Sequence, residues 1–247
     1  MIRFGKNPGW TTMPDDLPGP TESWLKSSPV SKGRPVLSRL LCVALFAIAM
    51  GFLEAICVIY LRGKLFSGGT DTQEIVAALG RFGIEHVREA CTIVMLLAVA
   101  WLAASRFWTR TAMFFLMFGI WDITYYLGLR IFSGWPGSIL EWDCLFLIPV
   151  PWFSPVLAPV LISIYMVVSC ILLILREAAG SSLRMTWPVL ALVGSGFVLW
   201  HWSFVEDSAI IMASGYPGVE YSWPLFLGGM FLAVSGLIVA ARRQRDQ

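Results

Sequence analysis

The sequence has few charged residues. Asp, Glu, Lys and Arg make up 14% of its 247 residues, whereas a soluble domain carries about a quarter. Hydrophobic residues make up 57% and the mean hydropathy is +0.72, which predicts an all-α integral membrane protein whose partner is the lipid bilayer. The net charge of +2, without a dense basic stripe, argues against nucleic acid as a partner.

Motifs that would identify a reaction are also missing. The chain contains no ATP-binding loop, dinucleotide fingerprint, Gly-x-Ser-x-Gly elbow, HExxH zinc motif or CxxCH haem attachment site. Its five cysteines include no CxxC pair and most fall inside apolar runs, so we expect small buried side chains rather than disulfides or a zinc site. The sequence therefore leaves the substrate and the oligomeric state open.

Three parts differ in composition. Residues 1–34 combine prolines, serines and mixed charges without an apolar signal-peptide core, which predicts a disordered cytoplasmic tail. Residues 35–243 form the predicted transmembrane domain, and 244–247 form a short cytoplasmic tail. The transmembrane domain holds six apolar runs, which predict six transmembrane helices at 36–61, 82–104, 111–129, 155–175, 187–205 and 224–241.

The distribution of Lys and Arg predicts the orientation of the chain. Eleven of them flank the runs on the side of the termini, and five lie on the other side. Because cytoplasmic loops carry the excess of Lys and Arg, both termini are predicted to lie in the cytoplasm of a multi-pass cell-membrane protein. The predicted outer loops are 62–81, 130–154 and 206–223.

The second outer loop is unusually apolar. Pro149, Pro151 and Pro155 prevent a continuous helix there. We predict a short interfacial or re-entrant helix between transmembrane helices 3 and 4, followed by an extended turn. In the first outer loop, Asp71 and Glu74 resemble a capping box that opens a short surface helix.

Three carboxylates lie at a similar depth inside the predicted membrane. Asp122 lies eight residues before Arg130, and Glu54 lies eight residues before Arg62, each about 12 Å from the outer boundary by helical rise. Glu89 lies eight residues after Arg81 on a helix that runs the other way. An intramembrane carboxylate is costly to insert, so three at one depth predict an outward-facing polar pocket.

Helical spacing adds further candidates to this pocket. Glu85 and His86 share one side of their helix with Glu89. The set Glu54, Glu85, His86, Glu89 and Asp122 is the predicted site, with Tyr125, Tyr126, Asp143 and His201 as supporting residues. Structural alternatives remain open. Glu85 could pair with Arg81 or Arg88 as a solvated helix start, and Glu54 and Asp122 could only hold helices together, paired with Arg88, tyrosines or backbone groups.

Several chemistries suit such a pocket. Carboxylates with imidazole could hold a divalent metal and act on a lipid or apolar substrate, although the order His86-x-x-Glu89 reverses the usual bundle motif. Buried acids also suit a proton- or cation-coupled transporter. His86 and His201 could ligate a b-type haem, which the surrounding carboxylates make a weaker hypothesis. A structural or partner-binding membrane subunit without catalysis is the remaining alternative.

Overall fold

Six long apolar helices carry the fold. The structure is a computed structural model that describes residues 35–65, 83–180 and 186–243. Its elements are α1 (Val36–Leu65), α2 (Ile84–Ala103), α3 (Phe107–Ser133), β1 (Trp142–Phe146), β2 (Trp152–Pro155), α4 (Leu157–Ala178), α5 (Trp187–Val205), α6 (Ser208–Ser214) and α7 (Trp223–Arg243). Six helical segments are long and apolar enough to cross a membrane, and α6 is the end of the fifth, Trp187–Ser214. This confirms the six predicted transmembrane helices.

The predicted helix positions agree with the observed ones to within a few residues. The largest differences lie in α1, which ends at Leu65 rather than at 61, and in α3, which is four residues longer at each end. The C-terminus of α3 is capped by Gly134, whose positive φ of 75° suits glycine and whose N–H donates to the carbonyl of Arg130 at 3.1 Å. The predicted terminal tails and the capping box at Asp71 and Glu74 lie outside the described residues.

The second outer loop differs from its prediction. Where we expected a short helix, the chain forms an antiparallel hairpin of β1 and β2, with Asp143 opposite Ser154 and Cys144 opposite Phe153. The aromatic and branched side chains of this segment favour extended backbone. Pro149 and Pro151 fall in the turn between the strands, where the missing N–H breaks no strand pair.

Close backbone approaches hold the long helices together. A Cβ at Gly51 of α1 would lie 2.6 Å from the carbonyl oxygen of Trp121 in α3. A Cβ at Gly119 of α3 would lie 2.7 Å from the carbonyl oxygen of Ser163 in α4. Such contacts between small residues are the usual way in which membrane helices pack. They place α3 at the centre of the group formed by α1, α3 and α4.

A second close pair is formed by α5 and α7. A Cβ at Gly196 would lie 2.6 Å from the carbonyl oxygen of Gly229. The α5–α7 pair meets the other helices through aromatic and apolar side chains, among them Trp200 and Phe204 in a buried cluster with Ala158 and Ile162 of α4. Helices from both groups line one cavity.

Candidate functional site

A cavity of about 220 Å³ lies among helices α1 to α5 and the hairpin. Its wall is mostly apolar, and eleven of the residues that line it are Phe, Trp or Tyr. A smaller part of the wall is polar and contains carboxylates from α1, α2 and α3. Such a combination of an apolar wall with a few polar groups is typical of small-molecule sites.

Most of the predicted site residues line this one cavity. They are Glu54, Glu85, Glu89, Asp122, Tyr125, Tyr126 and His201. His86 and Asp143 are not among the lining residues, although Asp143 accepts a hydrogen bond from Tyr126 Oη at 3.1 Å. The three carboxylates predicted to lie at one depth therefore share a cavity, but each has its own partner.

Glu54 and Glu85 form one ionic group with Arg88, called here the Arg88 cluster. The Arg88 guanidinium contacts both carboxylates, and its Nε donates to Glu85 Oε2 at 2.9 Å. Thr92 Oγ1 lies 3.5 Å from the second oxygen of Glu54. One cation between two buried carboxylates offsets the cost of removing them from water. This arrangement matches the structural alternative in which Arg88 joins α1 to α2.

Glu89 is held by the backbone of the hairpin. The N–H of Leu147 donates to both carboxylate oxygens, at 3.0 and 3.1 Å, and the Glu89 residue is only 4% exposed. Leu147 directly follows β1, so its N–H is available because the strand pairing has ended there. The contact connects the hairpin to α2 at the cavity wall.

Asp122 has a neutral partner. Ser163 Oγ of α4 donates to Asp122 Oδ2 at 2.7 Å, and no salt bridge to Asp122 occurs within residues 35–65, 83–180 and 186–243. Gly119 lies one helical turn before Asp122, and its missing side chain lets α4 come close enough for this bond. Asp122 and Ser163 are called the Asp122 pair below.

The metal hypothesis gains no support from this geometry. In the part of the chain that the structure describes, no group of three or more His, Cys, Asp or Glu side chains is arranged to hold a metal ion. Each acid is instead bonded to its own donor: Glu54 to a guanidinium, Glu89 to a backbone N–H and Asp122 to a hydroxyl. Whether a metal binds stays untested.

The two histidines occupy different surroundings. His201 lines the cavity and packs against Trp152, with ring centroids 4.5 Å apart, and is stacked on Phe197 at 5.8 Å. His86 does not line the cavity, and its Nδ1 is buried without a hydrogen-bond partner in the described residues. The geometry therefore gives no support to a haem held between both histidines.

The comparisons with known proteins identify no relative. No protein-family model matches the chain, and no curated protein or solved structure has significant similarity to it. Its function therefore has to be argued from the site itself.

Sequence reasoning missed several residues of the wall. Ser163, Thr92 and the N–H of Leu147 supply donors to the acids, yet an isolated Ser or Thr in an apolar run carries no distinct signal. Trp121 could have been selected, because it directly precedes Asp122 in the sequence, whereas Trp152 lies nine residues from the nearest predicted site residue, Asp143. Tryptophan is common in membrane proteins, however, and its abundance hides individual roles.

Proposed function

We propose that this protein binds a small lipid-soluble molecule inside the membrane and serves as its carrier. The observation that carries the proposal is the mixed wall of the cavity, with eleven aromatic residues and four carboxylates. An aromatic wall favours a flat or apolar body, while the polar residues can orient one functional group.

The cavity size limits the ligand. Its volume of about 220 Å³ is below the roughly 300–1,000 Å³ typical of pockets for drug-sized molecules. We therefore expect a ring or head group to occupy it, with any longer tail outside. A whole phospholipid would not fit.

Chemical extraction of the purified protein tests the proposal. Ile162 of α4 lines the cavity, whereas Ile164, two residues later, is 47% exposed and does not. We expect a lipophilic compound at near-equimolar amounts, measured by mass spectrometry, in the wild type and in the Ile164→Trp control. The Ile162→Trp variant, which fills the cavity, should lose it.

Two results would contradict the carrier proposal. One is a wild-type extract with no compound enriched over bulk lipid. The other is equal retention of the compound by Ile162→Trp and Ile164→Trp. Metal analysis of the wild type and of Asp122→Asn tests the metal hypothesis, which a stoichiometric metal lost in the variant would support.

Coupling to protons is a second candidate function. It is favoured by Asp122, a buried carboxylate whose described partner is the neutral hydroxyl of Ser163. An acid without a counter-cation can take up or release a proton at smaller electrostatic cost than one in an ion pair. Proton uptake on ligand addition, measured in vesicles and abolished by Asp122→Asn, is the expected result.

The proposed orientation has both termini in the cytoplasm, as the excess of Lys and Arg on that side favours. Ala179 follows α4 and is exposed, and it lies in a predicted cytoplasmic connection. In a cysteine-free background, Ala179→Cys should resist an impermeant thiol reagent added from outside. Labelling from the outside would reverse the proposed orientation.

A further inference from the structure

The polar acceptors and donors of the cavity wall differ in whether they have hydrogen-bond partners. Each carboxylate of the wall already has a donor: Arg88 for Glu54 and Glu85, the Leu147 N–H for Glu89, and Ser163 for Asp122. The carboxylates of the wall thus each accept a hydrogen bond from the protein itself. The groups of the wall that still need a partner are hydrogen-bond donors.

Two indole N–H groups of the wall have no acceptor. Trp121 Nε1 and Trp152 Nε1 are both buried and lack a hydrogen-bond partner in the described ranges, and both residues line the cavity. Trp121 is only 5% exposed. An indole nitrogen is a donor only, and a buried donor without an acceptor is rare enough to require an explanation.

The two indoles both contact one aromatic ring. The Phe146 ring centroid is 6.1 Å from that of Trp121 and 5.4 Å from that of Trp152. Phe118 is stacked on Phe146 at 6.2 Å. The unpaired donors therefore belong to one aromatic section of the wall.

We propose that the ligand carries a hydrogen-bond-accepting carbonyl oxygen on an apolar body, and that Trp121 donates its indole N–H to it. This inference rests on the proposed function and names its substrate class. Trp152 offers a second donor on the same section of the wall, which suits a molecule with two carbonyl groups such as a quinone. The aromatic wall favours a flat ring as the body of the ligand.

A cationic ligand fits the indole donors less well, because a cation has no acceptor to offer them. Binding a cation would therefore leave the two indole donors without partners. A carbonyl compound satisfies those donors and disturbs none of the existing bonds.

Three probes of equal tail length test the carbonyl. They are 2-decyl-1,4-benzoquinone, the hydrocarbon decylbenzene, and the methyl ester of undecanoic acid. Binding is measured to the full-length protein in nanodiscs, and partition into empty nanodiscs is subtracted. We expect the quinone to bind at least tenfold more tightly than decylbenzene, since one hydrogen bond of typical strength corresponds to about a tenfold change.

The matched variants are Trp121→Phe and Trp187→Phe. The first keeps an aromatic ring and removes the N–H, whereas Trp187 is 85% exposed and outside the cavity lining. Trp121→Phe should weaken quinone binding about tenfold and leave the affinity for decylbenzene within twofold of the wild-type value. Trp187→Phe should leave both unchanged.

The outcomes separate the inference from the function on which it rests. If quinone and decylbenzene bind equally to the wild type, the carbonyl inference is wrong and the carrier proposal stands. That comparison needs no variant, so it remains decisive if Trp121→Phe does not fold. If no probe binds and no lipophile is extracted, the carrier proposal itself fails. Equal binding of ester and quinone assigns the site to any lipid carbonyl, and preference for the quinone assigns it to ring carbonyls.

Discussion

The Arg88 cluster and the Asp122 pair place the same kind of side chain, a buried carboxylate, in opposite electrostatic settings. Glu54 and Glu85 share the guanidinium of Arg88. Asp122 is bonded to the hydroxyl of Ser163. The first arrangement fixes three charges that depend on one another, whereas the second holds a single acid through a neutral bond. We therefore expect the Arg88 cluster to be structural and Asp122 to be the acid that can change its protonation state.

The largest expected effect comes from removing the shared cation. Arg88→Met would leave Glu54 and Glu85 buried without their counter-charge. Breaking a buried ion pair from one side costs about 3–5 kcal/mol, so we expect a loss of that order in the free energy of unfolding. Denaturation of the purified protein in mixed detergent measures it.

A compensated variant is the control for this prediction. Arg88→Met combined with Glu54→Gln and Glu85→Gln removes all three charges and should regain most of the lost stability. If Arg88→Met alone is as stable as the wild type, the cluster does not hold α1 and α2 together.

The next effect concerns the backbone contact that supports the Asp122 pair. Gly119→Ala would bring a Cβ to 2.7 Å from the carbonyl oxygen of Ser163. Because overpacking of this kind typically costs about 1–3 kcal/mol, we expect lower thermal stability of the detergent-solubilised protein. Gly194→Ala is the matched control, since no atom lies within 4 Å of its added Cβ. Equal stability of the two variants would contradict the tight α3–α4 approach.

Much of the helical framework could be predicted from the sequence because the bilayer imposes a simple length and polarity rule. The runs 155–175 and 187–205 differ from the observed α4 and α5 by at most three residues at either end. Hydrophobicity alone determines these positions. The sequence also predicts that Glu54 and Asp122 lie at a similar depth, because each precedes a flanking arginine by eight residues. Both line the one cavity.

The hairpin and the partners of the acids could not be predicted in the same way. Pro149 and Pro151 correctly excluded a continuous helix, but they do not specify how the flanking residues pair. The bond from the Leu147 N–H to Glu89 joins residues 58 positions apart, and no local pattern encodes it. Among the described residues, the indole N–H of Trp121 lacks a partner because of how its neighbours pack. The observation that supports the proposed ligand therefore could not come from the sequence.

Neutralising the acid of the Asp122 pair should have a smaller effect on folding. Asp122→Asn keeps an oxygen that can accept the hydrogen bond from Ser163. Because the hydrogen bond is kept, we expect a change in the free energy of unfolding no larger than that of a single hydrogen bond, about 0.5–1.5 kcal/mol. A loss as large as that of Arg88→Met would show that Asp122 is ionised and structural, and would remove the contrast between the two settings.

The smallest expected effect is at an ion pair with an exposed cation. Arg106 Nη1 lies 3.2 Å from Glu177 Oε1, and the two side chains are 68% and 13% exposed. Pairs of this kind contribute about 0–1 kcal/mol, since water screens the charges and both side chains lose freedom. Glu177→Gln also keeps an oxygen for the Thr109 hydroxyl, which donates at 2.5 Å. We therefore expect Glu177→Gln to unfold within about 0.5 kcal/mol of the wild type. A loss above about 2 kcal/mol would show that this pair is structural although its cation is exposed, and would remove its contrast with the buried Arg88 cluster.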